Sequence, residues 1–257
     1  MSLLSATAKT ARSCRDNKLS RRGFMVGSAA LALAGCQSAG YGVAPGPMTS
    51  GQAPVAPRRG ADLRHDPYYR SVYAALPEEQ FPIPAVNLDE ISDGRYLRQV
   101  VNYTGPEEGG TVVVDPGNRF LYQVRGDGTA MRYGVGVGRE GFNWNGDAVV
   151  QYKRAWPTWT PPAEMIARQP ELEPYRTGME PGLSNPLGAR ALYLFQGGRD
   201  TLYRLHGTNE NWSIGRNVSS GCIRLLNQDA IDLYNRVPDG SRVVVRHASN
   251  PVEVIGI

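Results

Sequence analysis

The sequence predicts a mostly-β domain with a few short helices, set behind an N-terminal leader and a flexible tether. Three observations carry this. Short runs of β-branched and aromatic residues recur between about residues 98 and 246, separated by turns rich in Gly, Pro and Asn. Windows with a helical period are few. The first 59 residues differ in composition from all that follows.

The leader comes first. Residues 1–36 carry Lys9, Arg12, Arg15, Lys18, Arg21 and Arg22 against Asp16. The whole chain has 28 basic and 24 acidic residues, so 22 and 23 remain beyond the leader. The basicity therefore belongs to the leader and gives no argument for nucleic-acid binding. The apolar run 24–33 spans about ten residues, whereas a membrane-spanning helix takes about twenty; it reads as a signal core. Ser20-Arg21-Arg22-Gly23-Phe24-Met25 resembles a twin-arginine export signal. Leu33-Ala34-Gly35-Cys36 resembles a lipobox, which would make Cys36 the lipidated N-terminus; cleavage near Ala32 or Ala34 is the rival. Either way an extracytoplasmic location, the periplasm or cell envelope, is expected.

Residues 37–59 are Gly, Pro, Ala and Ser with almost no charge, the composition of a tether. Residues 60–95 are mixed. A helical turn is expected over 66–73, and prolines at 77, 82 and 84 limit regular structure. This stretch is expected to pack along the domain without a core of its own. The organisation read from the sequence is thus 1–36 export signal, 37–95 tether and extension, and 96–248 the β-rich domain.

Regular structure begins at 98–103. Residues 112–124 form a hairpin with a strong turn at Asp115-Pro116-Gly117-Asn118. Further strands are expected at 130–137 and 148–155. Gly136, Gly138 and Gly141 spell a dinucleotide fingerprint, but Phe142-Asn143-Trp144-Asn145-Gly146 follows in place of the helix such a site needs. Residues 156–188 break the pattern with prolines at 157, 161, 162, 170, 174 and 181 and a short helix at 163–168; a long irregular segment of this kind suits a lid. A hairpin follows, 191–195 and 201–205 around Gly197-Gly198. A helix at 227–234, with Asn227 as N-cap, precedes a last strand at 242–246.

The chemistry concentrates in 206–224. Of three cysteines, Cys14 lies in the leader and Cys36 ends it, so Cys222 stands alone in the mature chain. A free thiol ionises near 8.5 and becomes a nucleophile when a histidine lies beside it and a third group fixes that histidine's tautomer. His206 is the candidate, at the end of a short strand with Gly207 turning the chain away. A polar loop without helical or strand period is expected over 208–220. Gly221 lets the backbone turn sharply before Cys222 and aim amides at a substrate oxygen. His65 and His247 read as solvated surface residues. No cluster has metal-ligand spacing.

His206-Gly207-Thr208, then Ser219-Ser220-Gly221-Cys222-Ile223-Arg224 sixteen residues on, resembles the signature of the L,D-transpeptidases, the YkuD-type domains that remodel peptidoglycan. Asn185-Pro186-Leu187-Gly188 and Ala191-Leu192-Tyr193-Leu194 are also similar, and the likeness runs from about residue 110 to 246. Ser220 stands where many members have a second His. The resemblance implies a β-sandwich or barrel and a capping element near 156–188. It also implies Cys222 as nucleophile, His206 as base and the Gly207 carbonyl as orienter, with Ser219, Ser220 and Gly221 around the oxyanion and Arg224 on a substrate carboxylate. A thiolate–imidazolium pair is one expected resting form. Peptidoglycan stem peptides are the implied partners, with a wall-anchored lipoprotein as a second acceptor and the membrane touched through a lipid anchor alone. No cofactor is implied. A carboxypeptidase or thiol peptidase, and a non-catalytic peptidoglycan-binding lipoprotein, are the other readings.

Overall fold

In the computed structural model the described residues are 62–138, 145–219 and 222–247, all within one compact unit, 53–257. The expected leader with Cys14 and Cys36, the tether up to residue 61, and Ser220 and Gly221 lie outside them.

Among the described residues eleven strands make one mixed sheet in the order β1-β4-β3-β2-β11-β6-β7-β8-β10-β5-β9. They are β1 (Gln99–Asn102), β2 (Val112–Asp115), β3 (Phe120–Val124), β4 (Thr129–Gly134), β5 (Gly136–Gly138), β6 (Gly146–Ala155), β7 (Arg190–Gln196), β8 (Arg199–Thr208), β9 (Asn217–Ser219), β10 (Ile223–Leu226) and β11 (Arg242–Val245). The helices are α1 (Pro67–Val72), α2 (Ala163–Arg168) and α3 (Asn227–Arg236).

The sheet folds over on itself. Val112, Leu121 and Tyr133 from one half share a buried core with Val150, Leu192, Leu194, Leu205, Ile223 and Leu225 from the other. Ala230 and Leu233 of α3 belong to the same core. Because side chains alternate along a strand, this places Val113, Phe120, Tyr122 and Val124 on the outer face. There residues 62–98 cover them: Tyr69, Tyr73, Leu88, Ile91 and Tyr96 complete a second core with these residues. Burial on both faces is why β2 reads Val-Val-Val without alternation. The extension itself is built from short 3-10 turns, capped by the carboxylate or amide of Asp62, Asn87 and Asp93.

The turns follow their local chemistry. Asp115 accepts from the Asn118 backbone and side-chain amides, both at 3.0 Å, and closes the β2–β3 hairpin. Gly197 and Gly198 both have positive φ, as the tight β7–β8 turn requires. The Gly136–Gly138 stretch is strand β5, paired to β10 and β9, and the next described element is strand β6. One local expectation fails: Asn227 is the first residue of α3 and Leu226 is its cap. The Asn227 side chain is used elsewhere, accepting from Ala189 N at 2.9 Å.

Candidate active site

Strands β8 and β10 run parallel, with Ile223 opposite Leu205 and Arg224 opposite His206. Leu205, Ile223 and Leu225 point into the core. Alternation therefore sends Arg204, His206, Cys222 and Arg224 to the outer face. This is the half of that face left open by residues 62–98. In β7, Ala191 lies opposite His206 and Tyr193 opposite Arg204; in β6, Tyr152 lies opposite Tyr193. The result is two rows crossing the strands: Arg154, Ala191, His206 and Arg224 in one, Tyr152, Tyr193 and Arg204 in the other, with Cys222 continuing the second. His206 and Cys222 are thus one strand apart and two residues out of register, about 8 Å between Cα atoms from strand spacings.

His206 is buried, 4% exposed, and its Nδ1 lies 2.6 Å from the Gly207 carbonyl oxygen. A carbonyl only accepts, so Nδ1 carries the proton and Nε2 is left as the base. Gly207 serves this geometry twice. Its carbonyl orients the ring, and a Cβ here would overlap the Asn227 carboxamide oxygen. Gly188 approaches the same oxygen equally closely, so β7, β8 and α3 converge around one amide.

Cys222 is half-buried. Its thiol donates to the Leu202 carbonyl at 3.9 Å and receives a main-chain hydrogen bond from Arg204. Burial pushes the thiol above its ordinary range, opposed by that hydrogen bond and by the Arg204 and Arg224 charges. Burial likewise brings His206 down to about 4, opposed by the Gly207 carbonyl and helped by Arg224 and Arg204. Burial thus works against both charged forms, the thiolate of Cys222 and the imidazolium of His206, while the neighbouring hydrogen bonds oppose it at each group.

Arg224 forms an ion pair with Glu210. Thr208 Oγ1 accepts from Glu210 N at 3.0 Å and turns the loop that carries this carboxylate. The loop is more ordered than its sequence suggests, with a 3-10 turn at Asn211–Ser213 and strand β9 ending at Ser219. His65 pairs with Asp62 at 3.8 Å and His247 is exposed, both away from these rows. Among the described residues no group of three His, Cys, Asp or Glu side chains is placed to hold a metal.

Residues 156–188 leave β6 and return to β7. The segment holds α2, as its sequence predicts, and a 3-10 stretch at Pro170–Tyr175. Asn185 closes its base: the buried amide donates to the carbonyls of Pro157, Met179 and Glu180, and Oδ1 accepts from Leu187 N. Trp156 pins the other end, donating to Glu79 and packing on Phe81 at 4.9 Å. Sequence reasoning marked neither Asn185 in this role nor Asp200, Leu202 and Arg204 beside the thiol. The available signal was the period of two that places Arg204 on the same face as His206.

A mixed sheet folded over one core, with His206 on β8 and Cys222 just ahead of the parallel strand β10, is the architecture on which the L,D-transpeptidase catalytic domain is recognised here. The model of the YkuD family, the L,D-transpeptidase catalytic domain, matches residues 109–245, and the chain belongs to this family. The Probable L,D-transpeptidase YbiS of Escherichia coli K12 is 40% identical over 145 residues, 52% of this chain and 43% of that protein. The Probable L,D-transpeptidase YcfS of the same strain is 37% identical over 144 residues, 53% of this chain and 42% of that one. The matching stretch is thus less than half the length of these relatives. A solved structure from Brucella melitensis, described as a probable carnitine operon oxidoreductase, is 47% identical, with 60% of this chain and 96% of that one covered and a TM-score of 0.43. That name belongs to that protein; the family assignment rests on the family model.

Proposed function

We propose that this protein is a peptidoglycan L,D-transpeptidase working through an acyl-enzyme on Cys222. The observation that carries the reading is the His206 Nδ1 bond to the Gly207 carbonyl, which leaves Nε2 as a base on the face that also bears Cys222. Nε2 takes the thiol proton. The sulfur attacks the carbonyl of the diaminopimelate residue in a tetrapeptide stem, and the collapsing intermediate expels the terminal D-Ala, whose amine receives the proton. Amides near Gly221 and Cys222 hold the oxyanion, with Ser219 and Ser220 beside them. The amine of a second stem then attacks the thioester and gives a 3→3 cross-link. Water as acceptor would make the enzyme a carboxypeptidase, and a lipoprotein lysine would make it an anchoring enzyme.

Arg224 is proposed to meet a substrate carboxylate by its guanidinium fork, exchanging Glu210 for the ligand. Residues 156–188 are proposed as the lid. The leader and tether support an extracytoplasmic enzyme held by a lipid on Cys36, with residues 96–248 as its catalytic domain. No cofactor enters the scheme.

The test is product analysis by mass spectrometry after incubation with disaccharide-tetrapeptide. The expected products are a dimer lacking one D-Ala and free D-Ala, both lost in Cys222→Ser and reduced at least about a hundredfold in His206→Ala. Dimer formation retained in Cys222→Ser contradicts the scheme.

A further inference from the structure

Between β7 and β8 the pairing slips. Tyr193 faces Arg204 and Phe195 faces Asp200, so residues 201–203 of β8 stand opposite Leu194 alone. The bulge is tied at each residue. Thr201 Oγ1 donates to the Leu194 carbonyl at 2.6 Å and accepts from Tyr203 N at 3.2 Å. Leu202 N donates to Asp200 Oδ1 at 2.8 Å. The two Nη atoms of Arg204 meet the two Asp200 oxygens at 2.7 Å, and its guanidinium lies 4.4 Å over the Tyr193 ring. Tyr193 in turn stacks on Tyr152 at 4.4 Å.

The bulge re-aims backbone at the sulfur. Leu202 takes a left-handed φ of 63° and leaves its side chain 75% exposed, while its carbonyl accepts the Cys222 thiol. The Arg204 main chain completes the other side of that contact. A strained, solvent-facing leucine buries little to offset its backbone cost. What the conformation gains locally is the carbonyl at the thiol and the Asp200–Arg204 pair beside it.

We propose that the Asp200–Arg204 pair on this bulge is a charge device that sets the nucleophilicity of Cys222, with Arg204 as the positioning residue and Asp200 as its counterweight. The inference rests on Cys222 being the nucleophile. When the thiol proton passes to His206 Nε2, the sulfur keeps the electron pair, and the Arg204 main-chain donor and guanidinium stabilise it. Asp200 opposes that charge and holds the guanidinium on Tyr193. Among the described residues, the other charged or titratable side chains that β8 and β10 place on this face beside Cys222 are His206 and Arg224, the latter tied to Glu210.

The device predicts opposite effects from two variants that break the same ion pair. In the full chain carrying Cys14→Ser and Cys36→Ser, iodoacetamide alkylation of Cys222 is followed by intact mass across pH. Arg204→Met should move the midpoint up and slow alkylation at neutral pH by roughly tenfold. Asp200→Asn should move it down and speed alkylation. Arg204→Lys, which keeps the charge, should stay near the parent. Midpoints that shift the same way in both variants, or in neither, overturn the proposal, since a purely structural bridge would act alike from either end. Where Arg204→Met does not fold, Arg204→Lys against Asp200→Asn decides: Asp200→Asn must lie lower. Stem-peptide turnover by Cys222→Ala, measured alongside, separates the two claims. Turnover retained there sinks the nucleophile assignment; turnover lost there with unmoved Arg204 and Asp200 midpoints sinks the device alone.

Discussion

His206 is set by two contacts, the Gly207 carbonyl and its own burial. The carbonyl fixes which nitrogen is the base, and burial keeps the ring neutral down to about pH 4. The acidic limb of transpeptidation should then lie near 4 and not near the ordinary imidazole value, as a pH–kcat/KM profile would show; a limb near 6.5 would contradict it. The sign for stability follows from the same shift. The unfolded chain binds the proton below about 6.5 and the native protein holds out to about 4, so this group makes stability fall as pH drops through that window. Gly207 carries a second prediction at this scale. Gly207→Ala forces a methyl against the Asn227 amide and should cost about 1–3 kcal/mol, visible as a lowered denaturation midpoint together with lost turnover. The candidate pair was legible from the lone Cys222, the histidine sixteen residues before it and the resemblance of both short motifs to the family signature. The role of Asn227 was not. Its sequence context, just before a helical run, is that of an N-cap, and a contact with Ala189 spans 38 residues.

The elements most legible in the sequence were those whose signals are local. The β2–β3 turn is closed by Asp115, the glycine pair turns β7 into β8, and α2 falls at 163–168 as expected. The β8 bulge was illegible because a bulge is a slip against a partner strand and leaves no mark in one strand's own alternation. So was the junction of the extension with α3. There Tyr73 Oη donates to Asp229 Oδ2 at 3.1 Å and accepts from Arg98 N at 2.7 Å. Arg98 also reaches Asp232 at 2.9 Å, and Tyr133 donates to Asp232 at 2.6 Å. Burial raises Asp229 to about 7 against the pull of Arg98. The native protein therefore binds this proton where the unfolded chain has lost it, and the contribution is full below about 4 and fades as pH rises through 7. The sign is opposite to that of His206 over a shared window. Asp229→Asn should gain stability relative to the wild type by several degrees as pH rises from about 4 to 7, read as the difference in melting temperature. A difference that stays constant with pH would refute the assignment.

At the scale of the molecule, the outer face of one sheet is divided. Residues 62–98 seal β1 to β4 with aromatic side chains, and the other half of the face, on β6, β7, β8 and β10, holds the candidate site. The sequence suggested an extension without its own core, and its reason is visible: Tyr69, Tyr73 and Tyr96 complete a core begun by Phe120 and Tyr122. Deleting residues 1–97 uncovers those rings. The shortened chain should lose cooperative unfolding and bind a hydrophobic dye, whereas a chain begun at residue 62 should keep a sharp transition. A cooperative, dye-free 98–257 fragment would show that the extension is dispensable packing.

Whether Cys222 is an activated acylating nucleophile can be read from intact mass after incubation with a carbapenem. The folded full chain carrying Cys14→Ser and Cys36→Ser should take one covalent adduct, absent when Cys222→Ala is added and strongly slowed by His206→Ala. A folded protein that forms no adduct, or one that still forms it without Cys222, would rule out Cys222 as the acylated nucleophile.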